Sequence, residues 1–190
     1  MARELLSTPP RLRLAGFLVV VAGSVLAGIC ATRRWATVGF PRDAHGTLDV
    51  PTHGTDIWEG KVVLLLAGVG LVLLIVMRLA RSRLLRRSLG VALIVLGLVC
   101  AALPLFIAVR PETRLGGEEG LERWVSSIAA ELELPEDVVR EQVADQARQN
   151  LRVELEPALW LTVAGGLLMA VGGALSLAWA RTREVSTPPD

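Results

Sequence analysis

The sequence predicts an all-α membrane protein, a four-transmembrane-helix bundle with a small extracytoplasmic cap. Hydrophobic residues make up 52% of the 190-residue chain, and the mean hydropathy is +0.50. A soluble domain of this size is rarely so apolar, because its surface needs more polar area. Charged residues still account for 21% of the chain, so the apolar and the charged residues must occupy separate blocks.

Four blocks without any charged residue define the predicted spans. They cover 14–31, 62–77, 89–109 and 158–180. At about 1.5 Å rise per residue, blocks of 18 to 23 residues give roughly 27–35 Å, the thickness of the bilayer core. The second block has 16 uncharged residues and reaches spanning length when Ile57 and Trp58 extend it. We therefore expect transmembrane helices at 14–31, 61–77, 89–109 and 158–180.

The charge of the segments between the spans predicts their orientation. The N-terminus (1–13), the link between the second and third spans (78–88) and the C-terminal tail (181–190) together hold ten arginines and three acidic residues. Short basic loops stay on the cytoplasmic side of a membrane. We expect a multi-pass protein of the bacterial plasma membrane, with both termini in the cytoplasm and two outer loops at 32–60 and 110–157.

The two outer loops predict a cap of two amphipathic helices and a minimal β-sheet. Frequent glycine and proline disfavour helix in the first loop, where 36–40 and 47–50 are candidate extended pieces. The second loop carries twelve acidic residues against six arginines. A helix is indicated there by the apolar positions Leu121, Trp124, Val125, Ile128 and Leu132, and a second helix is expected from Pro135. The alternation over 151–155 predicts a strand that pairs with the first loop.

Four of the five tryptophans fall at predicted membrane interfaces. The predicted interface anchors are Trp35, Trp58, Trp160 and Trp179. Around Trp58, the sequence THGTDIWEGK leads into the second span. Asp56 is expected to cap that helix, with Glu59 completing a capping box. His53 has no role in this interpretation.

Small residues four apart in the last span form a candidate contact face. Gly166, Ala170 and Ala174 would let another helix approach closely. This face suits either contacts inside the bundle or contacts with a second copy or a partner subunit. Trp124, on the predicted amphipathic helix, completes the candidate partner face.

The sequence offers no reactive constellation. His45 and His53 share a loop with several acidic residues, but no spacing typical of a metal site is present. We expect no catalytic, cofactor-binding or metal-binding residues, and no nucleic-acid partner. No ionisable residue lies within the charge-free blocks, which disfavours an ion or proton pathway through a single copy.

Three short patterns resemble a known family. They are Arg34-Trp35-Ala36-Thr37-Val38 after the first span, Gly54 to Lys61 before the second, and Leu159-Trp160-Leu161 with Gly165-Gly166 in the last. In these the chain resembles the small four-span membrane proteins of actinobacteria called tryptophan-associated transmembrane proteins. The resemblance implies the four-span architecture and no particular activity.

The sequence therefore favours a non-enzymatic scaffold or accessory subunit in the cell envelope. Its expected partners are the lipid bilayer and either a second copy of the chain or another membrane protein. The alternative is a small-molecule or ion transport component that acts as an oligomer.

Overall fold

Four long helices dominate the protein. The computed structural model describes residues 10–42, 46–80, 82–111, 122, 125–126, 128–130, 135–140 and 152–185. The helices are α1 (Pro10–Ala31), α2 (Trp58–Leu79), α3 (Arg83–Val109) and α4 (Pro157–Val185). Each of them is long and apolar enough to cross a membrane. The predicted bundle of four membrane-spanning helices is confirmed.

The last helix lies between the first and the third. α4 packs against α1 on one side and α3 on the other, while α2 contacts both α1 and α3. Two double glycines, 165–166 and 172–173, make this position possible. An ideal Cβ on Gly165 would lie 2.7 Å from the backbone N of Ala27 in α1, and one on Gly166 would lie 2.6 Å from the backbone N of Ala101 in α3. The absence of a side chain therefore brings three helix backbones into direct contact.

The same pair of contacts, one glycine against α1 and the next against α3, repeats seven residues later. A Cβ on Gly172 would lie 2.8 Å from the N of Val20, and one on Gly173 would lie 3.1 Å from the N of Ile94. One glycine of each double pair thus faces α1 and the other faces α3. α2 lies at the periphery of the bundle, and its outer face exposes Leu65, Val72 and Ile75.

A three-stranded antiparallel sheet covers one end of the bundle. Its strands are β1 (Arg34–Arg42), β2 (Gly46–His53) and β3 (Arg152–Leu155), in the order β2-β1-β3. Val38 in the central strand pairs with Val50 on one side and Val153 on the other. The predicted sheet, including the pairing of the second loop with the first, is confirmed.

Two further segments of this cap are helical where they are described. Helical backbone is found at 122, 125–126, 128–130 and 136–140. Val125, Ile128 and Val139, which the apolar periodicity assigns to inward faces, are all buried. Glu122 and Arg140 lie on the outside, with Oε1 and Nη2 3.7 Å apart. Leu121, Trp124 and Leu132 lie outside the described residues.

The opposite end of the bundle carries the basic link between α2 and α3. Ser82 caps α3, and its Oγ accepts a hydrogen bond from the N–H of Leu85 at 3.2 Å. The Nε–H of Arg86 donates to the carbonyl of Ala80 at 2.8 Å. The turn between the helices is thus held by contacts within the link itself.

Candidate functional site: the capped end of the bundle

Trp35 joins the cap to the bundle. It is the second residue of β1, and its side chain is completely buried. Its Nε1–H donates to the carbonyl of Cys30, near the end of α1, at 2.9 Å. Its own carbonyl accepts from the N–H of Glu156 at 2.9 Å, immediately before α4 begins. A buried tryptophan needs a partner for its N–H, and here that partner is the end of a helix.

Two glycines let the chain pass close to Trp35 before it enters α2. An ideal Cβ on Gly54 would lie 2.6 Å from Cε2 of Trp35 and would also collide with the carbonyl oxygen of Ala31. A Cβ on Gly60, in the first turn of α2, would collide with the carbonyl oxygen of Gly54. Trp35, Gly54, Gly60 and Glu156 together form what we call the cap joint, where the ends of α1, β2 and β3 meet the beginnings of β1, α2 and α4.

The cap joint belongs to a hydrophobic core shared by cap and bundle. This core combines residues from all four long helices, from β1 and from the helical segments of the cap. Buried members outside the joint include Ala27, Val38, Val63, Ile107, Val125, Ile128, Val139 and Leu159. Because one core spans both parts, the cap is a fixed part of the bundle in this structure.

Trp35 is therefore not an interface anchor, and that prediction is wrong. An anchor needs an exposed ring at headgroup level, whereas Trp35 is 0% exposed. The sequence placed it correctly at the end of α1 but could not show that β1 turns it inward. Trp58 and Trp160 differ, because they are 54% and 49% exposed at the starts of α2 and α4. Trp179 lies on α4, and its side chain is outside the described part.

The predicted capping box of α2 is also wrong. The residue that caps α2 is Ile57, whose side chain makes no capping hydrogen bond. Asp56 instead ends a short 3-10 turn, Gly54–Asp56, and its Oδ2 accepts from the backbone N–H of His53 at 2.8 Å. The Nδ1 of His53 lies 3.4 Å from the same oxygen. His53 thus has a structural neighbour in the turn, while Glu59 is buried at 4% exposure in the first turn of α2.

The three residues of the candidate partner face on α4 differ in their exposure. Gly166 and Ala170 are buried, and both lie against Gly97 of α3. Their contacts are made within the chain. Ala174 is exposed, and it is the member of the trio that another molecule can reach in this structure. The repeated double glycine was the signal for the internal contacts, since two adjacent small residues face two different neighbours on a helix.

The described residues hold no constellation with evident chemistry. Within them, no three His, Cys, Asp or Glu side chains come together as a metal site would require. His45 lies outside the described part of the chain. Cys30 and Cys100 are free and buried in different helices. The exposed residues of the capped end include Trp58, Trp160, Pro51 and Val138.

Comparison with known proteins now adds to this geometry. A family model described as tryptophan-associated transmembrane protein matches residues 17–187. The match covers all of α2, α3 and α4 and the whole sheet, and it begins within α1, after the first seven residues of that helix. The chain belongs to the tryptophan-associated transmembrane protein family. No curated protein matches it.

The patterns by which this tryptophan-associated transmembrane protein resembles its family coincide with its internal contacts. Trp35, Gly54 and Gly60 form the cap joint, and Leu159 is buried in the shared core. Gly165 and Gly166 hold α4 against α1 and α3. The patterns therefore describe how the molecule is held together.

Proposed function

We propose that the chain is a non-enzymatic scaffold or accessory subunit of the plasma membrane, which presents its cap to a partner membrane protein. The observation that carries this proposal is the shared core that fixes the cap to the bundle. A fixed platform has an invariant surface, which favours recognition. A cap that acted as a gate would need to move relative to the helices.

The interior of the bundle supports the same proposal. Its helices meet through backbone contacts at Gly165, Gly166, Gly172 and Gly173. Between the cap and the basic end, the second core cluster consists of Val20, Leu74 and Leu93, with Phe17, Val21, Leu73 and Met77 around it. Packing of this kind offers few polar groups to a solute, although Ser24 and Thr162 are also buried in the bundle. Function is therefore assigned to the outer surface of the cap.

Site-specific photo-crosslinking in native membranes tests the assignment. A photoreactive amino acid placed at Val138 or Pro51, both exposed on the cap, should give a constant adduct with one membrane protein. The matched control is the same amino acid at Val72, which is exposed on the outer face of α2. Adducts equal in identity and yield at Val72 and on the cap would contradict the proposal.

The proposal also gives the orientation of the chain, with both termini in the cytoplasm. The variants Pro51→Cys in β2 and Ser82→Cys in the basic link report on opposite ends, and both positions are exposed. A membrane-impermeant maleimide should label Pro51→Cys in intact cells and Ser82→Cys only after permeabilisation. The native cysteines are buried, so they contribute little background. The reverse pattern would contradict the orientation.

A transport assay separates the proposal from its alternative. The purified chain, reconstituted in proteoliposomes, should show no ion or solute flux above that of empty vesicles. Flux above this baseline would favour a transport component acting as an oligomer. The same preparation, crosslinked with a short bifunctional reagent, shows whether it is oligomeric.

A further inference from the structure

The end of the bundle opposite the sheet concentrates positive charge from all four helices. The arginines on these helix ends are Arg11 and Arg13 of α1, Arg78 of α2, Arg83, Arg86 and Arg87 of α3, and Arg181 and Arg183 of α4, of which the structure describes the side chains of Arg78, Arg86 and Arg87. We call this set the arginine collar. Glu184 is the one acidic residue on the same helix ends within the described part of the chain. The protein thus supplies little negative charge of its own to balance the collar there.

Contacts within the protein hold two side chains of the collar, Arg78 and Arg86, in place. The Nε–H of Arg86 donates to the carbonyl of Ala80 at 2.8 Å. A guanidinium has five N–H donors, and this bond uses one of them. The guanidinium carbon of Arg78 lies 5.1 Å from the centre of the Phe17 ring, which joins the end of α2 to α1 by a cation–π contact. The two charges are therefore positioned by the fold.

The collar lies at the edges of the four apolar windows, either just inside them (Arg78, Arg86, Arg87) or within about one turn beyond them. The apolar windows of the four helices are Leu14–Ala31, Trp58–Leu79, Leu84–Val109 and Pro157–Ala178. Arg13, Arg83 and Arg181 follow or precede these windows within one turn. A bilayer core of about 30 Å is surrounded by headgroups that bring the total to about 40–45 Å. Residues within one turn of the core boundary fall in the headgroup region of such a bilayer.

The directions of the helices increase the need for an anion. α1 and α3 begin at this end, and neither has an acidic residue in its first turn. The N-terminal end of a helix carries partial positive charge and the C-terminal end partial negative charge, so Arg11, Arg13 and Arg83 lie at the less favourable ends of α1 and α3, whereas Arg86 bonds to the carbonyl of Ala80 at the end of α2. We propose that the arginine collar binds anionic phospholipid headgroups, recognising their phosphate groups and negative net charge.

The test measures lipid binding by the intact chain in mild detergent with native mass spectrometry. Phosphatidylglycerol and phosphatidylcholine are titrated separately against the wild type and against the double variant Arg78→Gln/Arg86→Gln. Each basic residue near a membrane surface contributes about 1 kcal/mol to the attraction for anionic lipid. We therefore expect the double variant to bind phosphatidylglycerol at least about tenfold more weakly than the wild type. Its binding of phosphatidylcholine should be unchanged.

Two control variants make the result specific. Arg33→Gln/Arg34→Gln removes two exposed arginines from the sheet end and should leave phosphatidylglycerol binding as in the wild type. Arg78→Lys/Arg86→Lys keeps the charge, so it should retain most of the binding and guards against a folding defect in the glutamine variant. Equal binding by the wild type and the glutamine variant would overturn the proposal. So would an equal loss in the Arg33/Arg34 control.

A third arm distinguishes lipid from free anion. Inorganic phosphate is added to the lipid-free protein, and its effect on the melting temperature is compared with that of phosphatidylglycerol. A larger stabilisation by phosphatidylglycerol supports the headgroup site. Stabilisation of the same size by inorganic phosphate would overturn it in favour of a simple anion site.

Discussion

Replacing Gly166 by alanine should weaken the bundle of the isolated chain. An ideal Cβ at this position would lie 2.6 Å from the N of Ala101, 2.8 Å from the O of Gly97 and 3.0 Å from the Cα of Ala101. Ordinary contacts of carbon atoms are about 3.5–4.0 Å. All three neighbours are backbone atoms of α3, so no side chain can rotate away. The two helices must separate by roughly 1 Å, the difference between these distances and an ordinary contact.

The magnitude follows from two opposing effects. Overpacking of a core costs about 1–3 kcal/mol, and the contact with three backbone atoms places Gly166→Ala in the upper part of that range. The better helix propensity of alanine returns up to about 1 kcal/mol. A net loss of about 2 kcal/mol should lower the melting temperature by about 4–8 °C for a chain of this size.

The matched control is Gly68→Ala in α2. A Cβ on Gly68 would have nothing within 4 Å, so alanine gains helix propensity without a collision and should leave the melting temperature equal or higher. Thermal unfolding in mild detergent, followed by near-ultraviolet circular dichroism, compares the two variants as monomers. The reasoning is refuted if Gly166→Ala melts at or above the temperature of Gly68→Ala.

Three further predictions follow from individual side chains. Trp35→Phe removes one of two donors to the carbonyl of Cys30, which keeps the N–H of Arg33, and should cost about 0.5–1.5 kcal/mol in the same melting experiment, the net contribution of one hydrogen bond; Trp58→Phe, at an exposed position, should change little, and equal effects would contradict the cap joint. Ser24 is buried and its Oγ has no hydrogen-bond partner among the described residues, so Ser24→Ala should be neutral or stabilising, and a loss above about 1 kcal/mol would show that the hydroxyl has a partner. Ala174→Leu should leave the monomer's melting temperature unchanged because the residue is exposed, and it should weaken any crosslink to a second chain that uses this face of α4.

The parts of the fold that could be predicted depend on charge and periodicity. The four spans follow from charge-free blocks, since the cost of a charge in lipid gives each block clear limits. The sheet could be predicted because β3 alternates apolar and charged residues and the first loop excludes helix. Val125 and Ile128 are buried as their spacing indicates, because a helix repeats its inward face every three to four residues.

The roles of Trp35, Asp56 and Gly166 could not be predicted because they depend on tertiary contacts. A tryptophan next to a span looks the same in sequence whether its ring meets lipid or a neighbouring strand. Asp56 precedes α2 at a capping distance, but the 3-10 turn directs its carboxylate back to His53. Small residues four apart predict a close helix contact without naming the neighbour, and the neighbour of Gly166 is α3 of the same chain.

This distinction bears on where a partner should be sought. The residues that mark membership of the family, from Trp35 to Gly166, are buried or lie in backbone contacts, apart from exposed positions such as Trp58 and Trp160. If the cap is the recognition surface that we propose, its outward residues can be substituted without disturbing the cap joint. Substitutions at exposed cap positions such as Val138 or Arg140 should therefore change partner binding while leaving the fold intact, since surface changes away from special features stay within about 0.5 kcal/mol. Substitutions at Gly54 or Gly60 should abolish the fold and partner binding together. The two classes of substitution therefore distinguish a recognition surface from the scaffold that holds it.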